Sequence, residues 1–334
     1  MVKCKQFNHL ILRSIANQTF KNLSSMISRR NVIKSIGLGS GLLFSSNLIQ
    51  ASPKVTESEF RYCLNTSTIM GQKPGLKGYL EIAAKAGYDG VELWIRDLQE
   101  YIEAGNSVNS LRMLIRDHGL TFENAIGFAP WMVDDASKRK AGFEQIEREM
   151  GLLADLDCHR VAAPAFGVDA PLDLFQAGER YKNLLDLGRK IGVMPQLEFW
   201  GAFPHFYHLG QVLMVAAVAD DKDARILPDV YHLFRGGSGY EGLKMLSGNL
   251  IEVFHMNDFV MHIPREEQQD KDRVYPGDGG APMQQIIGDL KAMGGRKVLS
   301  LELFNPDYWQ QDALTVAKTG LEKMKSLVTN VVGT

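Results

Sequence analysis

Met194-Pro195-Gln196-Leu197-Glu198-Phe199 is an apolar run interrupted by one acid, and the arrangement recurs towards the end of the chain. Leu227-Pro228-Asp229-Val230-Tyr231-His232, Val253-Phe254-His255-Met256-Asn257-Asp258 and Ser300-Leu301-Glu302-Leu303 repeat it. Apolar runs without alternation suit strands covered on both faces. Working outward, eight such segments recur: Phe60–Leu64, Gly90–Trp94, Thr121–Ile126, Arg160–Ala163, Met194–Phe199, Ala224–Val230, Leu250–His255 and Lys297–Leu303. Amphipathic stretches lie between them, with apolar residues at spacings of three and four in Leu76–Ala86, Phe143–Leu156, Met283–Met293 and Ala313–Val328. Gly87 and Gly119 suit helix C-terminal ends, where a left-handed residue is wanted. Eight strand–helix units in residues 57–334 predict a single-domain α/β fold, a (β/α)8 TIM barrel. A doubly wound sheet would bring a glycine-rich phosphate loop after the first strand, and Asn65–Gly71 holds no G-x-G-x-x-G.

A barrel of this kind gathers the C-terminal ends of its strands at one mouth. Glu198, Asp229, His255 and Glu302 are therefore expected to meet in space. One acid at a strand end is commonly a cap or a rim ion pair, whereas four successive strands ending this way predict a metal site. The donors are oxygen-rich with one imidazole, which suits a single Mn2+, Mg2+ or Zn2+ ion. Aromatic residues at or beyond strand ends, Trp94, Phe128, Trp131, Phe199, Trp200 and Phe203, are candidates for pocket wall as well as for core. His205 and His208 fall in an aromatic loop after strand five, either as surface residues or as substrate contacts.

These strand motifs resemble those of the xylose isomerase-like barrel superfamily, in particular its sugar isomerase/epimerase and hydroxypyruvate isomerase-like branch. The resemblance runs from about Arg61 to Val328. It includes Gly87-Tyr88-Asp89-Gly90-Val91-Glu92-Leu93 and Pro276-Gly277-Asp278-Gly279-Gly280. It implies that Glu198, Asp229, His255 and Glu302 hold one divalent cation, and that Glu198 and Glu302 are the catalytic acid/base pair. It also implies that His232 and Arg273 contact substrate, with Trp94 and Trp200 beside them. The implied reaction is isomerisation or epimerisation of a sugar or short keto acid through an enediolate. Dehydration of a keto-sugar uses the same groups, and a non-catalytic exported sugar-binding barrel would not need both Glu198 and Glu302. A three-zinc endonuclease branch shares His255-Met256-Asn257-Asp258 and Asp272-Arg273. It requires a histidine where this chain has Val274, so it is not expected.

Composition agrees. The 334-residue chain has a formal net charge of −2 and 45% hydrophobic residues, enough for a large core. Near-neutrality gives no footprint for nucleic acid, so the expected partner is a small molecule; a homo-oligomer is left open. Cys63 and Cys158 read as buried free thiols, and without a C-x-x-C pattern no thiolate zinc site is expected. Residues 1–51 read as an N-terminal extension with a twin-arginine signal. Ser28-Arg29-Arg30-Asn31-Val32-Ile33-Lys34 precedes a weakly apolar run, Ser35 to Ile49, with Ala51 as the expected last residue of the signal. The run is shorter than a spanning helix needs. The expectation is export to the periplasm or exterior, without stable membrane insertion after cleavage.

Overall fold

The structure, a computed structural model, describes residues 59–332. The expected signal, including Arg29, Arg30 and the boundary at residue 51, lies outside the described residues. Among the described residues no helix is long and apolar enough to cross a membrane.

The barrel strands are β1 (Phe60–Asn65), β2 (Gly90–Trp94), β3 (Thr121–Ile126), β4 (Arg160–Pro164), β5 (Met194–Glu198), β6 (Ile226–Leu227) and β7 (Val253–Met256). A two-stranded antiparallel ladder, β8 (Asp258–Phe259) and β9 (Arg273–Val274), precedes the last barrel strand, β10 (Lys297–Leu301). The eight barrel strands pair in parallel in the order β6-β5-β4-β3-β2-β1-β10-β7. Single-residue bridges, Ile226 to Ile251 and Asp229 to His255, close the ring between β6 and β7. The expected Ala224–Val230 strand is thus cut to two residues. Pro228 has no N–H to continue the ladder, and Asp229 turns to cap the next helix, its Oδ1 accepting from His232 N at 2.8 Å.

The helices bury the stripes that their periodicity foretold. In α1 (Gly75–Ala86) the buried residues are Leu76, Tyr79, Leu80 and Ala83, and Gly87 ends the helix at φ 92°. Gly119, at φ 70°, likewise follows the helix Val108–Asp117. The helix Ala136–Asp155 begins a full two turns before the expected Phe143, because the Asp135 carboxylate caps it through Lys138 N. Inside the barrel, Cys63, Ile126, Ala162, Leu227, Val253 and Val298 form a compact cluster contributed by six strands, and Trp94 and Phe128 pack against it. Cys63 and Cys158 are free and buried.

The starting ends of the strands carry an ion-pair chain. Arg61 Nε meets Glu123 Oε1 at 2.6 Å, and Arg160 Nη1 meets Glu123 Oε2 at 3.4 Å. Arg160 Nε then meets Glu252 Oε2 at 2.6 Å, and Arg225 Nε meets Glu252 Oε1 at 2.9 Å. Arg160 opens β4 while Glu252 precedes β7, so the chain spans the barrel floor.

Candidate metal centre and active site

At the other end of the barrel, His255 stands third in β7 and is fully buried. Its Nε2 lies 3.0 Å from Glu92 Oε1. That carboxylate is saturated by donors: Asn124 Nδ2 at 2.6 Å on Oε1, with Asn65 Nδ2 at 2.9 Å and Ser300 Oγ at 2.6 Å on Oε2. Burial opposes charge on Glu92, but His255 and these hydrogen bonds outweigh it and lower its pKa. An acceptor so held places a proton on Nε2 and turns Nδ1 toward the barrel mouth.

Three carboxylates surround that Nδ1: Glu302 Oε2 at 3.2 Å, Asp229 Oδ2 at 3.8 Å and Glu198 Oε1 at 4.0 Å. Glu302 is in contact but outside hydrogen-bond geometry, and Nδ1 is a buried nitrogen with no hydrogen-bond partner. Donor atoms of Asp229, His255 and Glu302 all lie within 4.8 Å of one another. An unpaired buried imidazole nitrogen among carboxylate oxygens fits a divalent cation, since such nitrogens are otherwise paired. Burial works against charge on His255, yet Glu302 and Glu92 raise its pKa well above the usual range. The strand-end residues of four different strands have therefore been brought together, with Glu198 at the margin of the set.

Other side chains fix these ligands. Asn257 Nδ2 donates to Asp229 Oδ2 at 2.7 Å while Asn65 Nδ2 donates to Glu302 Oε1 at 3.0 Å. Arg273 Nη1 donates to Asp229 Oδ2 at 3.2 Å and Glu302 Oε2 at 2.8 Å, and its Nη2 pairs with Asp270 Oδ1. The Pro276–Gly280 turn explains how Arg273 is delivered. Asp258 receives the N–H groups of Gly277, Gly279, Ala281 and Phe259, so the loop wraps one carboxylate and pins the β8–β9 ladder. Gly277 is left-handed at φ 87°, and a Cβ on Gly279 would strike Phe259 O at 2.2 Å.

His232 is buried, and burial lowers its pKa. Gly201 N donates to Nδ1 at 3.1 Å, so the neutral ring presents Nε2–H, 3.2 Å from Arg273 Nη2. Both donors line the cavity, so one oxygen acceptor placed there could receive from the pair. Glu198 and Glu302 differ. Burial raises the Glu198 pKa against the pull of His255. Burial also opposes charge on Glu302, but His255 and Arg273 lower its pKa overall.

Glu198, His232, Asp270, Arg273 and Glu302 line a cavity of about 390 Å3, with an aromatic wall of Trp94, Phe128, Trp200, Phe203 and Phe304. Trp131 and Phe199 are not wall but core: Trp131 is fully buried, its Nε1 donating to Pro164 O at 3.0 Å, and Phe199 is 1% exposed. His208 caps the helix Leu209–Ala219, its Nδ1 accepting from Gly210 N. His205 packs edge-on to Phe203 with ring centroids 6.0 Å apart, one step back from the cavity. The sequence reading missed Glu92 as the partner of His255, Asp270 on the lip and Phe304 beyond β10. Glu92 carried a usable signal, an acid inside the apolar Gly90–Trp94 run.

A closed parallel barrel with an acidic, histidine-containing centre at its C-terminal mouth defines the class. The chain belongs to the xylose isomerase-like TIM barrel family, whose model matches residues 80–327. It is similar to an inosose isomerase of Bacillus velezensis, 27% identical over 80% of this chain and 97% of that protein. It is also similar to a 3-dehydroshikimate dehydratase of Pseudomonas aeruginosa, 28% identical over 73% of this chain and 38% of that longer protein. Among solved structures, the IolI protein with a bound zinc atom superposes with a TM-score of 0.75 at 23% identity, covering 81% of this chain and 99% of that one.

Proposed function

We propose that the chain is a divalent-metal-dependent isomerase or epimerase acting on a polyhydroxy ketone by proton transfer beside the carbonyl. The observation that carries this is the convergence of Glu198 and Glu302, two cavity-lining carboxylates from opposite parts of the sequence, on the unpaired His255 Nδ1. Asp229, His255 and Glu302 would hold the ion, with Glu198 beside them. When bound, the ion supplies positive charge next to the substrate's carbonyl and hydroxyl oxygens and so favours an enediolate.

The remaining chemistry belongs to side chains. One of Glu198 and Glu302 takes the proton from carbon, and the other returns one. Their environments push the two acids apart, the usual condition for an acid/base division. His232 donates Nε2–H to a substrate oxygen. Arg273 keeps Asp229 and Glu302 oriented, and the aromatic wall holds the ring and excludes water. The activities of the similar proteins, an isomerase and a dehydratase, both fit a reaction that begins with this proton abstraction.

The test is turnover in deuterium oxide. Purified protein loaded with Mn2+ is offered a panel of keto-sugars and keto-cyclitols, and products are read by proton NMR. Deuterium should appear at the carbon beside the carbonyl, because a glutamate in an open mouth exchanges its proton with solvent between steps. Conversion without incorporation, or no conversion across the panel, counts against the two glutamates as bases. Products that have lost water would shift the reading to the dehydratase.

A further inference from the structure

The aromatic wall does not stop at the reacting centre. Trp94, whose Nε1 donates to Asn65 Oδ1 at 3.1 Å, is the inner anchor. From it the rings step outward: Phe128 at 5.4 Å, then Phe166 a further 5.6 Å on, with Trp200 branching 6.0 Å from Phe128. Interplanar angles along these steps are 54°, 56° and 54°. None of these pairs is stacked, so ring faces are not consumed by one another. Phe166, at the outer end, is 42% exposed.

An exposed phenylalanine continuous with a cavity wall marks a binding surface more often than a scattered one does. The cavity of about 390 Å3 lies within the roughly 300–1,000 Å3 typical of small-molecule sites, and Phe166 extends its aromatic wall outward. Phe128, Phe166 and Trp200 offer apolar ring faces, which suit another ring or the apolar face of a sugar.

We infer that the mouth holds a second subsite, built on Phe128, Phe166 and Trp200, for a second ring attached to the reacting polyhydroxy ketone. The ligand class is a glycoside, its outer ring being the apolar face of another sugar or an aromatic aglycone. This rests on the reading that the inner site handles a polyhydroxy ketone, and it adds the outer half of the ligand.

Isothermal titration of the metal-loaded protein with matched pairs tests it. Methyl and 4-nitrophenyl β-D-gluco-, galacto- and xylopyranosides are compared, with cellobiose set against methyl glucoside as the sugar arm. At least one two-ring member should bind about tenfold more tightly than its methyl partner, since roughly 1.4 kcal/mol of ring contact corresponds to one decade. Phe166→Ala should remove most of that preference while leaving affinity for the methyl glycoside unchanged. The exposed position and the retained methyl-glycoside binding together show that the variant is folded. A preference for cellobiose assigns the outer ring to a sugar, and one for the 4-nitrophenyl compound alone assigns it to an aglycone. Equal affinity within every pair, absent binding included, or a preference that survives Phe166→Ala, overturns the subsite. Because binding is read without turnover, solvent exchange on small ketones can succeed when this fails.

Discussion

The two ends of the barrel are both rich in charge and handle it in opposite ways. On the floor, every carboxylate oxygen of Glu123 and Glu252 has a guanidinium partner from Arg61, Arg160 or Arg225. At the mouth, Glu92, Glu198, Asp229, Asp270 and Glu302 stand around Arg273, His232 and His255, and the His255 Nδ1 has no hydrogen-bond partner. The floor is electrostatically finished, whereas the mouth keeps a surplus of negative charge and a buried ring nitrogen without a hydrogen bond. Barrels of this fold divide their ends in this way, stability at the bottom and chemistry at the top. The difference teaches that a charge cluster is informative through what it leaves unpaired.

The comparison is broken most directly at the mouth. On the proposed mechanism, Glu302→Gln and Glu198→Gln each remove a proton carrier while keeping shape. Each should lower kcat by about 10^2–10^4-fold, the usual contribution of a general acid or base, with little change in melting temperature. Steady-state kinetics on the first substrate identified by solvent exchange measures it. If both variants retain wild-type turnover, the mouth is not the catalytic end.

Glu92→Gln acts one layer further out. Glutamine keeps the shape but offers one acceptor oxygen in place of two, and it removes the anion that holds the Nε2 proton. Metal affinity should fall about 10–100-fold, as for other carboxylates that orient a ligating histidine. Competition with a metallochromic indicator reads this without any substrate. Binding should also weaken as pH falls, because His255 must give up its Nδ1 proton to a metal. Unchanged affinity would leave Glu92 as a structural acid resembling those of the floor.

Glu92 also marks where the sequence stopped being readable. An acid at the end of an apolar run is visible in one dimension, as Glu198, Asp229 and Glu302 are, and His255 stands within such a run. Glu92 shows the same pattern, but its role depends on facing His255 across the barrel, a contact set by strand order and tilt. The aromatics show the same limit. Trp94 ends β2 and Trp131 lies beyond β3, yet one lines the cavity and the other hydrogen-bonds inside the core. Strand length failed at β6 for a local reason, the missing N–H of Pro228, which could have been weighed. Eight repeats of strand and helix, by contrast, needed only periodicity and glycine at helix ends.

The smallest effect is expected at the floor, and it sharpens the contrast because it should spare the chemistry. Glu252 accepts from Arg160 Nε at 2.6 Å and Arg225 Nε at 2.9 Å, tying β4, β6 and β7 together. Burial alone would raise its pKa, but the two guanidiniums lower it below the ordinary value of 4.5. A carboxylate with a depressed folded-state pKa adds stability above its unfolded value, and that stability is lost as pH falls through the folded one. Its side chain is 32% exposed, so solvent screens the pairs and Glu252→Gln should cost only about 1 kcal/mol. That corresponds to a drop of about 2–4 °C in melting temperature for a domain of this size. The gap between the urea midpoints of wild type and variant should be full at pH 7 and begin to close below about pH 4.5, where the glutamate takes up protons. Metal affinity and kcat should stay at wild-type values throughout. A Glu252→Gln protein that keeps its stability but loses metal or turnover would reverse the assignment of the two ends.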